Sequence, residues 1–450
     1  MDRSEKTPVI ALIPWGLAIE DFLEPNSLTL EMFCREFRGS WMFGYIDALR
    51  SAGVETVVVC ISRSVSRATR LVHEPTGARV VALPLPRVNR TLRRVMRDPY
   101  GHSTRQAFGK YRGLLAWPLL GPLKELGPYA ATPLRALVEE FHAVGADAVV
   151  CQEYEFPRFD VLALSKRMHG IPVFGVFQGG DYRRWRLEAL LRARAIRASD
   201  GLVIGTRAEI GRVQKRYHLP NHKVASIPNP VDVGVWKPGD RTRPRSTLGL
   251  PADCRVALWH GRVELPKKGL DILLEAWRSI SRSPHARHLR LVVIGDGPDA
   301  STIQQMIERL ELRNILFRNH IVNDPIELAS YLRAGDVYAF PSRHEGLAVA
   351  PVEAMACGLP VVATDCGGMT DILGADGEAA GMIVRRDDPG ALAEALRDLL
   401  CDDAKRQQLA AQARSRALEI FSQEAVGRQL RAFLLGDETR QRDELRRSRS

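Results

Sequence analysis

The sequence predicts an α/β protein of two doubly wound, parallel-sheet domains of the Rossmann-like kind. Three observations carry this. The chain has 450 residues, a length that holds two or three domains rather than one. Short β-prone apolar runs alternate with helix-length amphipathic segments through both halves, the pattern of parallel strands joined by crossover helices. Runs such as Val337-Tyr338-Ala339-Phe340 are apolar throughout, which marks strands covered on both faces.

Composition narrows the functional classes. Apolar residues make up 45% of the chain, enough for ordinary globular cores, and no apolar run approaches the roughly 20 residues that span a bilayer. The N-terminus, MDRSEKTPVIALIPW, puts mixed charges before a short apolar run and reads as a first strand, not a signal peptide. Seven cysteines (34, 60, 151, 254, 357, 366, 401) lack metal-ligand spacing, which fits reduced thiols in a cytoplasmic protein. A net charge of +11 suits phosphates, acidic lipid or nucleic acid. No zinc-finger, helix-turn-helix or RNA-binding signature is present, so no nucleic-acid partner is expected.

In the N-terminal half, Val9 to Ile13 is the first strand, Trp41 to Ala52 a helix closed by Gly53, and Val54 to Ile61 the second strand. The Gly39-Ser40 turn opens that helix on the side of the sheet where open α/β folds bind ligands; it reads equally well as a plain helix start. Between Arg87 and Arg112, seven arginines and one lysine stand against a single Asp98, while Val88, Leu92, Val95 and Met96 recur at helical spacing. This basic amphipathic segment is either a solvated face lying on its own domain or a contact for an anionic acceptor or acidic membrane surface. A similar run, Arg183 to Arg197, carries Trp185, a residue at home at an interface. Ala146 to Gln152 and Val173 to Phe177 are further strands, the second leading into Gln178-Gly179-Gly180-Asp181. Arg241 to Arg245, with flanking prolines, is a linker.

In the C-terminal half, Val256 to Trp259 is a strand, followed by His260-Gly261-Arg262-Val263-Glu264-Leu265-Pro266-Lys267-Lys268-Gly269 and a helix from Leu270 to Ile280. Two cations, Arg262 and Lys268, beside a helix start suit a diphosphate, Arg as a fork and Lys as a compact charge. Taken alone, such residues are as a rule surface charge, and Lys267 reads as solvated. Leu289 to Ile294 ends in the tight turn Gly295-Asp296-Gly297-Pro298; Asn314 to Phe317 leads into Arg318-Asn319-His320-Ile321. Gly381 to Val384 is a late strand, Pro389 to Leu400 a helix and Phe421 to Leu435 a final amphipathic helix. Residues 436–450 are charged and nearly free of apolar side chains, a disordered composition.

The most informative stretch is Pro341 to Gly368, PSRHEGLAVAPVEAMACGLPVVATDCGG. The strand Val337–Phe340 precedes a loop holding Gly346. Pro351 suits a first helical position. Gly358 is placed to cap the helix in the left-handed conformation, Pro360 blocks its resumption, and Val361 to Thr364 is the next strand. Glu345 lies on the loop and Glu353 in the first helical turn. A helix N-terminus favours an anion, commonly a phosphate, and a carboxylate on each side can accept hydrogen bonds from flanking hydroxyls. The arrangement suggests a nucleotide-sugar: pyrophosphate at the helix start, sugar on Glu345, ribose on Glu353. The plain alternative is a capping acid and a surface glutamate.

Glu-Gly-Leu-(x)3-Pro-Val-Glu-Ala-Met-Ala-Cys-Gly-Leu-Pro-Val-Val-Ala-Thr-Asp closely resembles the E-x7-E signature of retaining glycosyltransferases of family four, which have the GT-B fold. His260 to Gly269 resembles the family's Gly-Arg…Lys-Gly motif, and Gly295 to Pro298 its Gly-x-Gly-Pro. Ser199 to Thr206 resembles the strand that closes its first sheet. KVASIPNPVDVGVW, Lys223 to Trp236, looks like its interdomain hinge, usually Ile-Pro-Asn-Gly-Val-Asp; Pro230 replaces the glycine and stiffens it. The resemblance is close over Lys223 to Leu435 and architectural before that, since the second domain binds a shared donor while the first fits a particular acceptor.

The resemblance implies two domains facing across a cleft: 1–235 for the acceptor, 236–420 for the nucleotide-sugar, and a helix over 421–435 crossing back to the first domain, before the 436–450 tail. It implies a metal-independent, hexosyltransferase-type enzyme that moves a sugar, with retention, from a UDP-sugar (GDP-sugar second) to a lipid-linked or anionic acceptor. Arg262, Lys268 and Glu345 would be catalytic. Glu353, Gly346, Leu347, Ile321, Gly295 and Gly39 would bind donor, and Gln178 would lie near the reacting carbon, where many members carry histidine. No cofactor beyond the donor is implied, and no Asp-x-Asp metal motif sits in a suitable context. The expected location is cytoplasmic, at the cytoplasmic face of a membrane if Arg87–Arg112 docks there. Two other readings remain: a phosphorylase or sugar-nucleotide epimerase of the same architecture, and a non-catalytic nucleotide-sugar-binding subunit.

Overall fold

The computed structural model describes every residue except 1–6, 38–39, 99, 101–102, 110–116, 180–185, 284–285, 321, 347, 375–378 and 437–450. The expectations for Gly39, Ile321, Leu347 and the tail beyond Gly436 therefore lie outside the described residues, as do Trp185 and parts of the two arginine-rich runs.

Strands β1 (Val9–Ile13), β2 (Glu55–Ser62), β3 (Thr69–His73), β4 (Ala78–Pro84), β5 (Ala148–Gln152), β6 (Val173–Val176), β7 (Gly201–Val203) and β8 (Val224–Ala225) form the first sheet. Their order is β3-β4-β2-β1-β5-β6-β7-β8, parallel throughout except where β3 meets β4. The second sheet holds β9 (Arg255–His260), β10 (Leu289–Ile294), β11 (Ile315–Arg318), β12 (Val337–Phe340), β13 (Val361–Thr364) and β14 (Gly381–Val384). It runs β11-β10-β9-β12-β13-β14 and is wholly parallel. The two sheets are the predicted pair of Rossmann-like domains, facing across a cleft. The β3–β4 hairpin is an addition to the expected strands: β4 holds the buried apolar run Val80 to Leu83, whereas Thr69–His73 is an edge strand, exposed at alternate positions, with the short polar character of protected sheet edges.

Side chains of the central strands feed cores on both faces. Ala11, Ile13, Val57 and Val59 point to one side and Ile10, Leu12, Val58 and Cys60 to the other, as a period of two dictates. The chain crosses between domains twice, and the crossings touch: Val231 N donates to Phe421 O at 2.7 Å. The helix Gln423–Leu435 then packs on the helix Ser40–Ser51 of the first domain. Val426, Leu430 and Leu434 join the same core as Ile46 and Leu49, each worth about 2 kcal/mol of apolar burial. Gly427 lies against the Ala48 carbonyl so closely that a Cβ would collide with it.

The basic segment forms a helix over Arg87–Val95, but its faces are not those the apolar spacing implies. Asn89 and Met96 are buried and Leu92 half-buried, whereas Val88 and Val95 are 69% and 41% exposed. The reason is an ion pair: Arg93 reaches Asp21 at 2.6 Å and turns that face inward. The outer face carries Arg87, Arg90 and Arg94 beside Val88 and Val95. All seven cysteines are unpaired, and all but Cys401 are buried.

Candidate active site

The candidate site is assembled from loops at the C-terminal ends of β9 and β12, which are neighbours in the second sheet. Adjacent parallel strands deliver their following loops to one edge, where open α/β folds hold ligands. Three contacts lock these loops together. Lys267 O accepts from Arg343 N at 2.7 Å and from His344 N at 3.3 Å. Gly269, at φ +62°, presses against the Pro341 carbonyl in a space that no Cβ could share. Arg343 donates to Leu265 O at 2.9 Å and grips Asp271 at 2.9 and 2.7 Å. With the backbone so apposed, Lys268 Nζ falls 2.8 Å from Glu345 Oε1 and 3.1 Å from Oε2.

Glu353 lies in the first turn of the helix Ala350–Ala356, with Pro351 in that turn as expected. Gly358 ends the helix at φ +80°, the left-handed conformation glycine adopts without strain. Glu353 Oε2 lies 3.1 Å from His260 Nε2, at the end of β9. Two residues on, Arg262 is exposed and has no hydrogen bond or ion pair among the described residues. Lys267 is exposed and pairs with Glu264 at 2.9 Å, the solvated role expected for it. Beneath the site, burial pushes the Tyr338 phenol far above its ordinary value, so it stays neutral and donates to His260 O at 3.2 Å.

Gly295 has a packing explanation. At φ +151° it sits on the Gly261 backbone with no room for a Cβ, and Gly297 sits likewise on Val263. The Gly-x-Gly turn thereby fastens the loop after β10 to the loop that carries Arg262.

The first domain meets this edge through the ends of β6 and β7. Gly179 and Gly346 are apposed: a Cβ on Gly179 would lie 2.5 Å from Gly346 Cα, and one on Gly346 would lie 2.6 Å from Gln178 O. Gln178 is thus brought to the loop that carries Glu345. Its backbone N–H donates to Glu153 Oε2 at 3.3 Å and its amide faces Asn229 at 3.4 Å. Glu153 holds φ +64°, a strained conformation for a residue with a side chain. Further along, Asp371 accepts from Arg207 N at 3.0 Å across the cleft. A cavity of about 870 Å³ lined by Met382, Glu394 and Asp398 contains none of these residues.

Sequence reasoning therefore named residues that the fold does gather, Lys268 with Glu345 and Gln178 with Gly346. It missed His260, Arg343, Asp271 and Glu153. His260 could have been noticed as the single polar residue ending an otherwise apolar run; the others carry no local signal.

Family models match two portions of the chain: "Glycosyltransferase Family 4" over residues 100–235 and "Glycosyl transferases group 1" over 254–402. A D-inositol 3-phosphate glycosyltransferase of a Nocardioides species is 31% identical over 344 residues, 71% of this chain and 73% of that protein. Another, from Xylanimonas cellulosilytica, is 34% identical over 249 residues, 53% of this chain and 58% of that protein. In several relatives the match spans about half the length, as in the 54% and 49% of two others. Among solved structures, sucrose-phosphate synthase from Thermosynechococcus elongatus superposes with a TM-score of 0.65 at 19% identity, over 97% of this chain and 100% of that one. Anabaena Alr3699/HepE in complex with UDP-glucose gives 0.64 at 16%, over 95% and 100%. On sequence and architecture together, this chain belongs to the family-four, group 1 glycosyltransferases of GT-B fold.

Proposed function

We propose that this protein transfers a sugar from a nucleoside-diphosphate sugar, UDP first and GDP second, to an acceptor hydroxyl with retention of anomeric configuration. The observation that carries the reading is the meeting of Lys268 with Glu345 at the ligand edge of the second sheet, directly across from Gln178. The second domain holds the donor and the first the acceptor. The Lys268 ammonium, paired with Glu345 at 2.8 Å before donor arrives, turns to the diphosphate, joined by Arg262, which has no ion pair among the described residues. As the glycosidic C–O bond breaks, its electrons pass to the departing diphosphate. Two fixed cations stabilise that charge more than they stabilise the intact donor, which is what lowers a barrier. Glu345 accepts from the sugar's hydroxyls, Glu353 from the ribose, and the Gly346 amide faces the phosphate. The acceptor proton passes to the donor's own phosphate. Gln178 orients the sugar from the opposite wall through its amide and carbonyl.

With charge neutralisation supplied by Arg262 and Lys268, the chemistry needs no divalent ion. The acceptor is anionic. The D-inositol 3-phosphate named for the relatives is a phosphorylated polyol, and Arg87, Arg90 and Arg94 give the first domain a basic face. The exposed Val88 and Val95 between those arginines also fit the surface of an anionic membrane, although no described helix is long and apolar enough to cross one.

A thermal-shift screen of UDP-, GDP- and ADP-sugars, followed by turnover assays against phosphorylated polyols and lipid-linked acceptors, tests the reading. A donor that binds the native state raises its melting temperature. Stabilisation by none of the three donors sinks it. Flotation with anionic vesicles at low salt tests the membrane surface, and loss of binding in Arg87→Ala/Arg94→Ala would place the contact on that helix.

A further inference from the structure

We infer that His260 is a positioning residue for donor binding, holding the Glu353 carboxylate in the orientation that receives the ribose. The inference rests on the donor reading above. His260 ends β9, and its side chain is 6% exposed; that of Glu353 is 11% exposed. A carboxylate can only accept, so Nε2 carries the proton in their 3.1 Å contact. The remaining nitrogen, Nδ1, is buried without a partner among the described residues. The imidazole is thus a donor toward Glu353, its one side-chain hydrogen-bond partner among the described residues.

Both halves of residue 260 are fixed. The Tyr338 ring packs against the imidazole at 5.4 Å between centroids, and the Tyr338 hydroxyl donates to the His260 carbonyl at 3.2 Å. With Oε2 committed to His260, the other oxygen of Glu353 has no hydrogen bond among the described residues and is left to accept from a ligand. Packing alone does not explain the residue. The preceding β9 positions, Val256, Ala257, Leu258 and Trp259, are apolar and buried, and a fifth apolar side chain would fill the space without burying an orphaned nitrogen. A buried polar group kept at that cost specifies a geometry. Here it fixes the rotamer of a carboxylate that would otherwise lose entropy on binding donor.

The test is a comparison of sugars, not of overall affinity. Binding of UDP and of 2′-deoxy- and 3′-deoxy-UDP is measured by calorimetry for the wild type, His260→Leu, His260→Gln and Glu353→Gln, with the GDP series used if GDP binds more tightly. In the wild type the ribose nucleotide should bind about tenfold more tightly than the analogue lacking the recognised hydroxyl, the loss expected for one hydrogen bond to a charged acceptor. In His260→Leu that preference should shrink to about twofold while affinity for the deoxy analogue is unchanged; His260→Gln, which keeps an N–H, should recover part of it. An equal loss for ribose and deoxy nucleotides would mean a merely structural role and overturns the inference, as does an unchanged preference. Should His260→Leu fail to fold, His260→Asn, whose shorter amide falls short of Glu353, reads the same ratio. If Glu353→Gln abolishes the preference while every His260 variant keeps it, only the inference fails. If neither nucleotide binds, or Glu353→Gln keeps the full preference, the ribose role of Glu353 falls first.

Discussion

The ammonium of Lys268 lies 2.8 Å from one oxygen of Glu345 and 3.1 Å from the other, although the two residues are 77 positions apart. This pairing keeps Lys268 extended toward the place where a diphosphate would sit. Lys268→Ala should cut turnover by about 100-fold or more, the scale of losing one fixed charge at a leaving group. It should cost the fold under about 1 kcal/mol, since the pair is partly exposed. Wild-type rates in a folded variant would remove Lys268 from the mechanism.

Closure of the two domains depends on two glycines meeting. A Cβ at 346 would stand 2.6 Å from both Gln178 O and Gly179 Cα. Gly346→Ala should hold the domains apart and lower kcat about tenfold through misplacement of reacting groups, with little change in Tm because no core packing is touched. Small-angle scattering and steady-state kinetics read the two effects; an unaltered kcat would show that the contact plays no part in turnover.

Asp371 reaches across the cleft to the start of the helix Arg207–Tyr217, accepting from Arg207 N at 3.0 Å and approaching its guanidinium at 3.3 Å. The side chain of Thr206, at the N-cap, makes no capping bond of its own. Asp371→Ala should therefore cost about 1 kcal/mol as a lost cap and speed amide exchange in the first turn of that helix, by mass spectrometry. Unchanged exchange there would argue that the domains do not rest in this closed arrangement in solution.

Arg192 and Asp160 form a buried ion pair, both side chains fully inaccessible, and Tyr129 donates to Asp160 at 2.8 Å. Arg192→Leu should destabilise by about 3–5 kcal/mol by leaving a buried carboxylate uncompensated, as urea unfolding would show. Burial already pushes the Asp160 carboxyl up against the pull of Arg192. Without the arginine its folded pKa stays above the unfolded value, so the deficit should grow as pH rises past the ordinary carboxylate range and shrink in acid. A deficit independent of pH would show that losing Arg192 leaves the titration of Asp160 unchanged, so that an uncompensated carboxylate is not what destabilises the variant.

Thiol chemistry reports the core directly. Burial pushes Cys60, Cys151, Cys357 and Cys366 up to about 12 and Cys34 up to about 11. At mildly alkaline pH an aromatic disulfide reagent should titrate one thiol of the native protein, the exposed Cys401, and all seven after denaturation. Rapid reaction of further thiols would show that the domains open more readily than their packing implies.

Much of the fold could be read before any coordinates. The limits of β1, β10, β12, β13 and β14 match the expected runs because each is a largely apolar string, buried in all but β14, and flanked by Gly, Pro or a charged residue on at least one side. Of the β3–β4 hairpin, β3 escaped because an edge strand half in water has no such string, while β4 carries one, Val80 to Leu83, that went unread. The basic helix over Arg87–Val95 was legible as a helix, but not which side faces inward; Arg93 with Asp21, 72 residues apart, settles that.

The chain alone determined the class, two parallel sheets with their helices, and the local unit that sets Glu345 and Glu353 on either side of one helix start. Those features depend on neighbours in sequence: burial pattern, a proline, a glycine in left-handed conformation. Which cation meets which acid depended on the tertiary structure. Lys268 reaches Glu345 and His260 reaches Glu353 across 77 and 93 residues because β9 and β12 pair side by side, and Gln178 faces Gly346 because two domains close on each other. Register between strands and apposition between domains are properties of the assembled sheets, and no stretch of sequence contains them.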